Sequence, residues 1–208
     1  MTGPTALPIK VILFDFGGVL AEEGFREGLM AIARSNGFSP ETFFKIASSV
    51  AYDSGYVVGE TDESSYWSLI RQRTGITQSD TDLRREILKR FLLRPWMLEI
   101  VRELRKKGHI VGILSDQTQW LDELDRRNHF FREFDEVFNS YHLGIGKKNP
   151  LVFVKVAERL GIEPSEILFI DDNEGNVERA RSVGFRTILF RDRDSFMQEI
   201  ENLGLLKK

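Results

Sequence analysis

Three short apolar runs in this 208-residue chain end in side chains that can do chemistry. Val11-Ile12-Leu13-Phe14 ends at Asp15. Ile110-Val111-Gly112-Ile113-Leu114 ends at Ser115-Asp116-Gln117, and Ile167-Leu168-Phe169-Ile170 ends at Asp171-Asp172-Asn173. Continuous apolar runs of this length read as strands of a parallel sheet covered on both faces, and ligands of open α/β sheets bind beyond the carboxyl ends of such strands. Gly17 and Gly18 follow Asp15 and let the backbone turn sharply there. Lys147 and Lys148 lie in the loop Gly144-Ile145-Gly146-Lys147-Lys148-Asn149-Pro150, after a shorter apolar run at 136–138. With the strand ends at one edge, the pocket between them holds several carboxylates, a hydroxyl and an ammonium. Carboxylates without cysteine or paired histidine favour a hard cation, Mg²⁺ above all. Such a site with a lysine beside it suits a phosphoryl group, whose transfer needs charge neutralisation and positioning. Asp15 is then placed as a nucleophile, a metal ligand, or both.

The elements that must position these residues follow from pattern. After a first strand at 9–14, the stretch 24–93 shows helical periodicity and no strand, in pieces at 25–35, 40–52, 63–73 and 80–92. Ser39-Pro40-Glu41 sets an N-cap residue, a first-turn proline and an acid in order. Helices at 95–107, 120–131, 150–160, 175–183 and 195–202 then alternate with strands at 110–114, 136–138, 167–170 and 186–190. Alternation of this kind implies parallel strands joined by right-handed crossovers. The block 24–93 is too long for one crossover. The expectation is an α/β chain with a Rossmann-like three-layer core from 1–20 and 94–208, and an inserted all-helical cap at 21–93.

Composition narrows the field. A net charge of −3 offers no basic field for nucleic acid or an anionic membrane, and no apolar run approaches a membrane span. The absence of cysteine excludes disulfides, thiolate metal sites and cysteine nucleophiles. His109, His129 and His142 form no pair on one helix face. The first eight residues lack the charged start and apolar core of a signal peptide, so a cytoplasmic protein is the expectation.

In order and separation, Asp15-Phe16-Gly17-Gly18-Val19, Ser115, Gly144 to Pro150, and Asp171-Asp172-Asn173-Glu174-Gly175-Asn176 resemble the four motifs of the haloacid dehalogenase-like hydrolase superfamily. The chain is similar to subfamily I, the branch with a helical cap between the first two motifs. Its Asp-X-Gly first motif resembles that of bacterial sugar-phosphate phosphatases. The resemblance implies a Mg²⁺-dependent phosphatase of a small phosphorylated metabolite, acting through an aspartyl-phosphate on Asp15. It implies that Ser115 binds a phosphate oxygen and that Lys147, the lysine in motif register, pairs with Asp15 and the phosphoryl group. Asp172 would be the main metal carboxylate, with Asp171 beside it, joined by Asp15 and the Gly17 carbonyl. Phe16, Gly17, Gly18 and Asp116 would border the substrate, the turn amides touching phosphate. Phosphatases of the family carry a second Asp two residues after the nucleophile, which protonates the leaving oxygen; Gly17 stands there. Asp116, Glu22 and Glu23 are nearby groups able to substitute. Asn176 replaces a common acid of the fourth motif and would orient Lys147 or the metal shell.

In this family the cap closes over the site and chooses the substrate. Tyr52, Tyr56, Glu60, Tyr66 and Trp67 lie around its glycine-broken middle. Tyr56 and Trp67 are the expected substrate contacts, though aromatics at helical spacing also read as cap core. Two other readings stand beside the phosphatase. One is a 2-haloacid dehalogenase-type hydrolase, which needs no metal and sits poorly with Asp171-Asp172. The other is a non-catalytic binding protein that kept the fold, for which Gly17 is the support. Monomer and homodimer are both open.

Overall fold

β1 (Val11–Phe14) leads the chain out of a parallel sheet and into four helices, α1 (Gly24–Ser35), α2 (Pro40–Asp53), α3 (Glu63–Thr74) and α4 (Asp80–Leu88). The chain returns through α5 (Pro95–Lys106), β2 (Ile110–Ser115), α6 (Trp120–Asn128), β3 (Glu136–Asn139) and a one-turn α7 (Ser140–Leu143). It closes with α8 (Leu151–Leu160), β4 (Ile167–Asp171), α9 (Glu174–Ser182), β5 (Arg186–Leu189) and α10 (Arg193–Asn202). This computed structural model describes residues 8–206. Residues 1–7, which carry most of the signal-peptide reading, lie outside them.

The strand order is β3-β2-β1-β4-β5, all parallel. Phe14 is in register with Ile113 of β2 and Ile170 of β4, so Asp15, Ser115 and Asp171 emerge at the same edge. Successive residues of a strand face opposite ways. Ile12 and Phe14 join one core with Met97 and Val101 of α5, Leu121 of α6 and Ile200 of α10. Val11 and Leu13 join another with Val152, Phe153 and Val156 of α8 and Ala180 of α9. Helices therefore cover both faces, the three-layer α/β core expected from the alternation.

The chain leaves and re-enters the core along one seam. The Glu22 amide donates to Leu92 O and the Arg94 amide to Leu20 O, each at 2.9 Å. This pairing ends α4 at Leu88, short of the expected 92, because 91–93 is drawn out beside Ala21. Among the described residues, no helix is long and apolar enough to cross a membrane.

Candidate active site

Asp15 begins the turn that closes β1, and its amide donates to Ile170 O at 2.8 Å, tying the turn to β4. Its Oδ1 accepts from three donors: the Phe16 amide at 2.7 Å, the Ser115 hydroxyl at 2.5 Å and Lys147 Nζ at 2.9 Å. Three donors on one oxygen fix the rotation of the carboxylate. Lys147 is 1% exposed and bridges Asp15 to Asp171, whose Oδ2 it meets at 2.6 Å. Its loop is held from both sides: Asp116 Oδ1 accepts the Lys147 amide at 2.8 Å, and Arg179 Nε donates to the Lys147 carbonyl at 2.7 Å. Lys148 is exposed, with Nζ 3.4 Å from the centre of the Tyr52 ring. Burial pushes the Asp15 carboxyl up to about 8, against the pull of the Lys147 ammonium. Burial alone would lower Lys147, but the carboxylates of Asp15, Asp171 and Asp116 outweigh it and hold the ammonium above its ordinary value.

Asp171 is fully buried at the end of β4. Its Oδ1 accepts the Asn173 amide at 2.7 Å, and Asn176 Nδ2 reaches both carboxylate oxygens, at 3.3 and 3.1 Å. Arg179 donates to Asn176 Oδ1 at 2.6 Å, so Asn176 orients Asp171 from the first turn of α9. Asp172 is exposed at the cavity, and partial desolvation and Asp171 raise its carboxyl. Gly18 is required twice over: its φ is +80°, and a Cβ there would lie 2.1 Å from Asp172 Oδ2. Asp15, Asp171 and Asp172 each offer an oxygen within 4.8 Å of the others. An all-carboxylate set fits a hard cation such as Mg²⁺. Asp171 already carries Lys147 and Asn176, so Asp172 is the more available ligand.

A cavity of about 470 Å³ opens over these groups. Asp15, Gly17, Ser115, Asp116, Lys147 and Asp172 line one side, and Phe25, Arg26, Phe44, Ser48 and Tyr52 of α1 and α2 face them. Three of the substrate contacts expected from the sequence need correction. Tyr56 and Trp67 are fully buried and do not line the cavity. Tyr56 stacks on Tyr66 at 4.8 Å and Trp67 on Trp120 at 6.1 Å, while both indole N–H groups donate to Glu63. They join the helical block to α6. The Phe16 ring is also packed away, stacked on Phe130 at 5.2 Å, and its amide is taken by Asp15. Phe25, Phe44 and Ser48 were missed. The signal for Phe25 was its place just behind the nucleophile's turn; Phe44 and Ser48 had none.

Glu23 and Glu22 part company. Glu22 makes two 3.0 Å bonds with Arg94, which lower its carboxyl, and stays off the cavity. Glu23 lines it and caps α1, its Oε1 accepting the Arg26 amide at 3.1 Å. Burial raises the Glu23 carboxyl.

Known proteins share this arrangement of chain. The family model described as haloacid dehalogenase-like hydrolase matches residues 9–184. Bifunctional epoxide hydrolase 2 of Rattus norvegicus is 33% identical over 121 residues, 55% of this chain and 21% of that protein. The match thus spans about a fifth of the length of the mammalian epoxide hydrolases of this name. Glyceraldehyde 3-phosphate phosphatase of Methanopyrus kandleri is 24% identical over 203 residues, 88% of this chain and 84% of that one. A haloacid dehalogenase family enzyme of Bacteroides thetaiotaomicron, solved as a magnesium complex, superposes with a TM-score of 0.72 at 26% identity. That match covers 92% of this chain and 100% of the other. With a match running from β1 to beyond α9 and a sheet edge that gathers Asp15, Ser115, Lys147 and Asp171, the chain belongs to the haloacid dehalogenase-like hydrolases.

Proposed function

We propose that this hydrolase cleaves phosphate monoesters of a small metabolite through an aspartyl-phosphate on Asp15. One observation carries the reading: a buried lysine bridges Asp15 and Asp171 beneath a cavity wide enough for a small metabolite. Asp15 attacks phosphorus, and splitting one hard step into two lowers the barrier to each. Lys147 balances the charge of the phosphoryl oxygens, and the Ser115 hydroxyl turns from Asp15 to one of them. Asp15, Asp172 and the Gly17 carbonyl, with Asp171 beside them, would hold a Mg²⁺, which would supply further neutralisation of the transferring group. The phosphatase named in Methanopyrus kandleri and the magnesium bound by the Bacteroides enzyme support this reading.

Residues 1–20 and 94–208 act in this proposal as the catalytic core, and 21–93 as a cap that selects the substrate. The cavity wall built from α1 and α2 supports the division, with Phe25, Phe44, Tyr52 and Lys148 as the selecting groups.

Hydrolysis of p-nitrophenyl phosphate by the purified protein, in Mg²⁺ and in EDTA, is the test. Turnover is expected in Mg²⁺, is lost in EDTA, and falls by at least about 10³-fold in Asp15→Asn, which deletes the nucleophile but not the fold. Absence of turnover under both conditions, or an active Asp15→Asn, would sink the proposal.

A further inference from the structure

Cleaving the phosphate ester of an ordinary alcohol expels an alkoxide unless a proton reaches the leaving oxygen, and a positioned acid is worth about 10²–10⁴-fold. Gly17, in the turn that carries the nucleophile, has no side chain to deliver one. The space such a side chain would enter is flanked by another carboxyl: a Cβ on Gly17 would lie 3.0 Å from Glu23 Oε2. We propose that Glu23 is the general acid and base of this hydrolase, an inference that rests on phosphoryl transfer to Asp15.

A second observation is independent of the first. Ser, Thr, Asp and Asn are the preferred N-cap residues, because a short side chain reaches back to the first turn. Here a glutamate caps α1, at φ −72° and ψ 81°. A position that departs from a local rule is where function is expected to act. The departure holds one oxygen of the side chain. Oε1 is fixed by the Arg26 amide, and Oε2 is thereby set beside the nucleophile's turn. The other acids near the cavity stand elsewhere or are committed. Both Asp116 oxygens lie against Gly146, in the lysine loop, rather than against Gly17; Asp171 carries Lys147 and Asn176, and Asp172 belongs to the metal cluster.

The balance of the two steps is simple. An Asp15 oxygen bonds to phosphorus as the bond from phosphorus to the alcohol oxygen breaks, and Glu23 gives that oxygen its proton. The alcohol leaves. The ionised Glu23 then takes a proton from the water that attacks phosphorus. The bond from phosphorus to the Asp15 oxygen breaks, inorganic phosphate departs, and Asp15 is again a carboxylate and Glu23 again an acid.

The experiment compares two substrates in Mg²⁺: p-nitrophenyl phosphate, whose leaving group needs little protonation, and glycerol 2-phosphate, whose leaving group needs it. Glu23→Gln keeps an oxygen for the Arg26 amide and removes the acid. Its kcat/KM, which reports the step that expels the alcohol, is expected to fall about 10²–10⁴-fold on the alkyl ester and less than about tenfold on the aryl ester, while kcat falls on both wherever hydrolysis of the shared aspartyl-phosphate limits turnover. Equal losses of kcat/KM on both esters would mark a structural role and overturn the inference, as would no loss on either. The double change Gly17→Asp with Glu23→Ala returns a carboxyl to the same space. It is expected to recover alkyl-ester turnover lost in Glu23→Ala alone, and a folded double variant without recovery counts against Glu23. The unaltered protein gives a reading that needs no variant: turnover of the aryl ester with none of the alkyl ester removes this inference alone. No turnover of either ester removes the phosphatase reading and this inference with it.

Discussion

Lys147 shows how one side chain serves both stability and chemistry. A fully buried Asp171 carboxylate is costly unless a cation and hydrogen bonds compensate it, and Lys147 Nζ supplies the cation at 2.6 Å. The same ammonium reaches Asp15 at 2.9 Å, where the proposed chemistry places the phosphoryl charge. Lys147→Met keeps the length of the side chain and deletes the charge. It is expected to destabilise the fold by about 3–5 kcal/mol, because an uncompensated carboxylate remains in the interior. Urea unfolding measures this, and an unchanged midpoint would show that Asp171 does not depend on Lys147. Turnover is expected to vanish in the same variant, so stability and activity fall together here.

Elements carry the site through register. The acids at the strand ends were legible in the sequence because each closes an apolar run that can only be a covered strand. Parallel pairing of Phe14 with Ile113 and Ile170 then brings those ends to one edge. The helical side of the cavity was less legible, for a physical reason. Helical periodicity shows that an apolar face exists but not what covers it. Tyr56 and Trp67 fit both a lining and a packing role, and the structure puts them against Trp120 of α6. Phe25 and Phe44, which no pattern in the sequence marks as lining residues, border the cavity. Glu63, at the start of α3, closes this seam: it accepts from Trp67 and Trp120 at 3.1 and 3.2 Å and from Arg84 at 2.9 Å. Glu63→Ala leaves indole donors without a partner, at about 1–3 kcal/mol for each that stays buried. The expected outcome is a lower urea midpoint together with a KM that rises more than kcat falls, since the variant loosens the helices over the site and leaves Asp15 alone. A kcat loss with KM unchanged would contradict that assignment.

At the scale of the molecule, the site concentrates negative charge in a chain whose net charge is already −3. Desolvation first of all raises Asp15, Asp116 and Asp172 from their ordinary carboxylate value, Asp15 to about 8. A carboxyl whose folded value exceeds its unfolded value stabilises the fold at low pH, and that contribution is lost as pH rises through the folded value. In EDTA, the Tm is therefore expected to fall as pH rises through about 8. Mg²⁺ reverses the sign of the problem, because ionised carboxylates are what it binds and the unfolded chain does not gather them. Its contribution is about 2.7 kcal/mol at one hundred times its Kd. Protons compete for the same oxygens, so the gain is smallest in acid and grows with pH. Thermal unfolding across this range, with Mg²⁺ and with EDTA, is expected to give two curves that converge in acid and separate in base. Asp172→Asn removes the most available ligand and is expected to bring them back together. Curves that coincide at every pH in the unaltered protein would show that the carboxylate cluster holds no cation, and the charge at this edge would then have Lys147 as its main counterweight.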